Sequence, residues 1–134
     1  MEKVSRPISR IAQSVKVKEG GGVRLRRVFG MHRESGLDPF LLLDDFRSSL
    51  PEDYERGFPA HPHRGFETVT YILHGRMEHR DNLGNRGVVG PGDVQWMTAG
   101  SGIIHEEIPA GDEEGRLGGF QLWVNLPAEH KMTA

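Results

Sequence analysis

Turn-forming residues divide this chain into pieces too short for ordinary helices. Eighteen glycines and eight prolines are spread along 134 residues, and the runs between them have the length of β-strands. Val23-Arg24-Leu25-Arg26-Arg27-Val28-Phe29 begins by alternating. Pro39-Phe40-Leu41-Leu42-Leu43-Asp44-Asp45-Phe46 is a short apolar run of the kind a buried strand shows. Glu67 to Leu73 is β-branched and aromatic. Arg76 to Arg80, Arg86 to Val89, Val94 to Thr98, Ile103 to Ile108 and Gly118 to Leu126 follow, each set off by turn residues. In the last run Phe120, Leu122 and Val124 share one face, and Gln121, Trp123 and Asn125 the other. No stretch of about a dozen residues has a helical apolar period. The expectation is an all-β sandwich or barrel with strands every eight to twelve residues or so.

The length suits one domain with a sizeable core. Residues 1–22 read as an irregular or early-strand lead-in, Arg47 to Pro59 as a polar loop, and residues 128–134 as the start of a linker. A formal net charge of −2 and a pI near 6.4, with arginines interspersed among acids, give no reason to expect nucleic-acid binding. No apolar run approaches the roughly 18 residues of a membrane span, and the N-terminus lacks the apolar core of a secretory signal. The chain has no cysteine, which excludes disulfides, thiolate metal sites and cysteine nucleophiles. A cytoplasmic location fits these features, with the nucleus open to a eukaryotic chain.

Two histidine-containing pairs carry chemistry. His61-Pro62-His63 and His105-Glu106-Glu107 each place two potential ligands two positions apart, on one face of an extended strand. Pro62 fixes φ and stiffens the first pair. If the two segments meet, His61, His63, His105 and Glu107 can converge. Three imidazoles and a carboxylate suit Fe, Mn, Ni, Cu or Zn rather than Ca or Mg. Taken alone, the second pair also reads as an exposed acidic edge.

Other candidates are weaker. Glu67 has the parity of His61 and His63 if the segment stays extended, as a fifth ligand, a group orienting an imidazole, or a strand glutamate. Asp44 and Asp45 are adjacent and should face opposite sides. The glycine-rich stretches 20–22 and 99–102 lack the Lys-Ser/Thr of a phosphate loop, and Gly100-Ser101-Gly102 is no nucleophile elbow. His32, His74, His79 and His130 read as structural or exposed, and solvent exposure accounts for His74 in a turn and His79 in a charged strand.

The segments His61 to Tyr71 and Pro91 to Glu107, with Asp38 to Phe46 upstream and Leu122 to Pro127 downstream, resemble the N-terminal cupin domain of the pirin family over nearly the whole chain. The resemblance implies a small antiparallel β-barrel, the double-stranded β-helix of cupins, over residues 1–127. The family typically has two cupin domains and these residues correspond to the first, which would leave an interdomain face uncovered and favour dimerisation or poor solubility. It implies one divalent transition metal, usually iron(II), with Mn, Ni, Cu and Zn as alternatives. The ligands would be His61, His63, His105 and Glu107. Glu67 would orient rather than bind, since pirins use the later glutamate. The implied activity is quercetin 2,3-dioxygenase-like: a flavonol ring opened with O₂, with Glu107 as the base. The alternative the family offers is a non-enzymatic, redox-sensitive iron protein that binds a transcription factor or metabolic enzyme.

Overall fold

The computed structural model describes residues 5–31 and 36–134; His32 lies outside the described residues. Among them are ten strands: β1 Val15–Glu19, β2 Val23–Gly30, β3 Phe40–Asp45, β4 Phe58–His63, β5 Phe66–His74, β6 Arg76–Asp81, β7 Arg86–Val89, β8 Val94–Thr98, β9 Ile103–Ala110 and β10 Gly118–Asn125. Two single 3₁₀ turns, Pro51–Asp53 and Ala128–His130, are the helical pieces among the described residues. None of these helices is long and apolar enough to cross a membrane.

The strands form two antiparallel sheets, of order β1-β2-β3-β10-β5-β8 and β4-β9-β6-β7. This is an all-β cupin fold. The barrel expectation needs correction: no ladder joins the two sheets among the described residues, so the barrel is not closed by hydrogen bonds. Edge strand β4 gives one physical reason, since Pro59 and Pro62 have no N–H to offer a further ladder. The strands instead face one another through their side chains.

Alternation sets what lies between the sheets. In β2, Val23, Leu25 and Arg27 are buried and the intervening arginines exposed. In β9, Ile103, His105, Glu107 and Pro109 point inward. Val23, Leu25, Phe46, Tyr54, Ile72, Met77, Val89 and Leu117 form the main apolar core, each large side chain contributing on the order of 1.5–3 kcal/mol by leaving water. Met97, Ala99 and Ile103 form a smaller cluster. Gly75, which turns β5 into β6 with φ +71°, has no room for a Cβ against the Ala110 carbonyl.

The segment read as a linker folds back onto the domain. Lys131 Nζ donates to the Gly65 carbonyl at 2.9 Å, and the Ser101 N–H donates to the Thr133 carbonyl at 2.8 Å.

Candidate metal centre

His61 stands directly opposite His105 in the β4–β9 ladder, and His63 opposite Ile103. The antiparallel pairing therefore carries both histidine segments on one two-stranded unit. The Nε2 atom of His61 lies 2.9 Å from His105 Nε2 and 3.1 Å from His63 Nε2. The other ring nitrogens of two of these residues are engaged away from the cluster. His61 Nδ1–H donates to the Pro59 carbonyl at 2.7 Å, and His105 Nδ1 lies 3.2 Å from His79 Nδ1. Three imidazole nitrogens aimed at one point are a donor set for a borderline transition metal. Among the described residues, these three form the group able to hold an ion.

Electrostatics favour the ligand form. Burial, with the nearby charge of His61, lowers His63 to about 4. Burial and the charges of His61 and His63 lower His105 to about 3. Both rings are neutral at pH 7, as metal ligands must be.

Glu107 is inward on the same strand and fully covered. Its Oε1 accepts from Gln121 Nε2 at 3.1 Å, and burial raises its carboxyl to about 7 against that hydrogen bond. Gln121 also reaches Thr70 Oγ1 and accepts from Trp123 Nε1. The carboxylate sits in the cavity but stands apart from the three-histidine group.

The cavity measures about 530 Å³ and is lined by the three histidines, Glu107, Gln121, Trp123, Phe66, Phe58, Arg27 and Asp44. Phe66 and Trp123 stack at 4.7 Å between ring centres, and Trp123 meets His63 edge-on at 5.3 Å. On the far wall Arg27 grips Asp44 through two hydrogen bonds of 2.8 Å and reaches Glu19 at 3.1 Å. Asp45, as its opposite parity requires, turns away and pairs with Arg47.

Two expectations change. Glu67 does not orient a histidine: its Oε1 accepts from Thr98 Oγ1 at 2.7 Å, on the face opposite the buried Thr68 and Thr70. Gly65, at φ +79°, ends β4 and starts β5 in the other sheet, so parity does not carry from His63 to Glu67. His79 is not exposed but 4% accessible, bound between His105 and Asp81. The charged neighbours that suggested exposure, Glu78 and Arg80, take the outward positions, while Met77 shares the buried parity of His79. That apolar residue two positions earlier is the signal in the sequence. His74 is exposed as expected, and His130 is open to solvent beside Glu129.

Asp81 completes this inner row. Burial would raise its carboxyl, but hydrogen bonds from His79, Asn85 and the Leu83 N–H prevail and bring it down to about 2.

Comparison with known proteins supports the same picture. The family model described as Pirin matches residues 22–124. A pirin-like protein of Caulobacter vibrioides is 56% identical over 129 residues, 96% of this chain and 46% of that protein. The crystal structure of a quercetin 2,3-dioxygenase from Acinetobacter baumannii matches with a TM-score of 0.79 and 40% identity, over 91% of this chain and 45% of that one. The Escherichia coli bacterial pirin YhhW, in complex with nickel(II), matches with a TM-score of 0.70 and 28% identity, over 90% of this chain and 51% of that one. The chain thus spans about half the length of the relatives it matches.

Proposed function

The chain belongs to the pirin family, and from that premise we propose that its cavity holds one divalent transition metal, iron(II) foremost, and that the loaded protein opens a flavonol ring with O₂. The ligands in this reading are His61, His63, His105 and Glu107. The observation that carries it is the approach of three Nε2 atoms to one point in a cavity large enough for a small aromatic molecule. When bound, such a metal supplies a Lewis acid and a template for a chelating substrate and O₂.

The chain's own residues supply the rest. Phe66 and Trp123 offer flat apolar faces on which a planar ring system can lie. Glu107 takes the proton of the flavonol hydroxyl. A cation beside a carboxylate weakens it as a base, so this step needs Glu107 turned toward Gln121, where the hydrogen bond to the amide gives it a second resting place. The test is metal analysis of protein purified without an affinity tag, then an oxygen electrode with quercetin. Oxygen uptake matched by loss of the flavonol absorbance is the expected result. Metal-loaded protein that does neither defeats the dioxygenase reading.

A second copy of the chain is the partner this reading assigns to the outer face of the six-stranded sheet. Phe29, Leu43, Leu122, Val69 and Trp96 lie in one register row across five strands, with Trp96 61% exposed and Val94 and Tyr71 open beside it. A continuous apolar face of this kind favours association.

A further inference from the structure

Behind the three histidines the described structure contains a buried chain of hydrogen bonds that ends in a carboxylate. In the β6–β9 ladder Asp81 stands opposite His105 and His79 opposite Glu107. Only 5% of the His79 side chain and 3% of the Asp81 side chain reach solvent. His79 Nε2 lies 2.9 Å from Asp81 Oδ2, His79 Nδ1 lies 3.2 Å from His105 Nδ1, and His105 Nε2 faces His61. Asp81 is itself pinned by the backbone N–H groups of Leu83 and Asn85 and by the Asn85 amide.

Polarity along this chain has a direction. A carboxylate only accepts, so a neutral His79 carries its hydrogen on Nε2, which leaves its Nδ1 as an acceptor. His105 then keeps its hydrogen on Nδ1 and its lone pair on Nε2, the nitrogen turned to the cluster. His61 receives the same service from a neighbouring backbone carbonyl, that of Pro59. His105 receives it from side chains on the adjacent strand.

Resting on the metal-centre reading above, the geometry points to His79 and Asp81 as positioning residues that fix the tautomer and ring orientation of His105 for metal binding. They act through His105 and do not join the group of ligand atoms. Partners of this type typically govern metal affinity by about 10–100-fold.

Titration of the metal-free protein with Co(II), followed by its ligand-field absorption, tests this. His79→Leu and Asp81→Asn should each weaken Co(II) binding by about 10–100-fold, with the native spectrum restored at saturation. His79→Gln should recover most of the loss, because its carbonyl can accept from His105 Nδ1–H while its amide donates to Asp81. Long-range ¹H–¹⁵N spectra of the metal-free protein supply a readout that does not depend on the leucine variant folding. They should show His105 protonated on Nδ1 in the native chain and a mixture of tautomers in Asp81→Asn. Native affinity in both His79→Leu and Asp81→Asn overturns the inference, as does a glutamine variant as weak as the leucine one, or a His105 protonated on Nε2. His105→Ala separates the two readings. If it binds Co(II) as the native chain does, the metal centre is wrong and the positioning role falls with it. If it loses Co(II) while both His79→Leu and Asp81→Asn keep native affinity, the positioning role alone is lost.

Discussion

The two sheets enclose an oily region and a polar one. Around Ile72, Met77 and Leu117 the interior is filled with aliphatic and aromatic side chains. Farther along the same strands the inward positions are Thr70 and Thr68 on β5, Gln121 and Trp123 on β10, Glu107 and His105 on β9, and His79 and Asp81 on β6. The first region lowers the free energy of the fold by excluding water. The second buries groups that water would solvate better, and each is satisfied: among the described residues no buried side-chain polar atom lacks a partner. A polar interior so fully paired rigidifies its members, and that rigidity is what a three-nitrogen centre needs. Stability and chemistry are thus assigned to different lengths of the same strands.

Substitutions can separate the two regions. The largest effect belongs to the polar one: His61→Ala or His105→Ala should abolish metal loading, measured as metal per chain after dialysis, while the far-ultraviolet circular dichroism stays native. Unchanged stoichiometry in both would remove the site assignment. Next comes the apolar region. Ile72→Ala should cost about 2–5 kcal/mol in denaturant unfolding and leave metal stoichiometry intact. A parallel loss of metal would show that the regions are not separable.

Glu107 tests the boundary between them through pH. Its carboxyl is raised from 4.5 to about 7 in the fold, so between those values the folded state holds a proton that the unfolded chain has released. Stability of the metal-free protein therefore falls as pH rises through that window and levels off above it. His63 and His105 act oppositely: their lowered values, about 4 and about 3, favour the fold above pH 6.5 and withdraw that support as pH falls. Glu107→Gln keeps the shape and deletes the carboxyl contribution. It should stabilise metal-free protein at pH 8 by up to about 3 kcal/mol and leave stability at pH 4 nearly unchanged, read by urea unfolding at both values. Equal effects at the two values would show that the carboxyl titrates in the fold as it does in the unfolded chain. The smallest effect on stability is expected at the outer face. Trp96→Glu should shift light scattering from dimer to monomer and, at dilutions where the native chain is monomeric too, alter unfolding by no more than about 0.5 kcal/mol. A native chain that is already monomeric removes the second-copy proposal.

How much of this the sequence discloses depends on whether a signal is local. Strands β2, β3 and β5 to β10 are bracketed by turn residues and can be read directly. The histidine trio is also legible, because ligands two apart on a strand need only a partner strand to converge. Of β4 the histidine spacing shows the end, while its start at Phe58 and Pro59 is hidden because these residues close a polar run. His79 is hidden by its charged neighbours, since parity within β6 decides burial and the flanking charges do not. The face of Glu67 is illegible for the opposite reason: Gly65 resets the parity, and only the backbone shows it. Gln121 and Trp123 can be placed on one face from alternation, but their role depends on Glu107 lying across the cavity, a contact between sheets that no spacing encodes.

The direct opposition of His61 and His105 in the β4–β9 ladder has a consequence for how the chain avoids mispairing. A slip of one residue between two strands turns a whole set of side chains to the wrong side. Here such a slip would point one histidine segment outward while the other still pointed inward, and the three nitrogens could not meet. An ion able to bind only the correct alignment acts as a proofreader of strand register, favouring the native pairing over its near neighbours by the full free energy of its own binding.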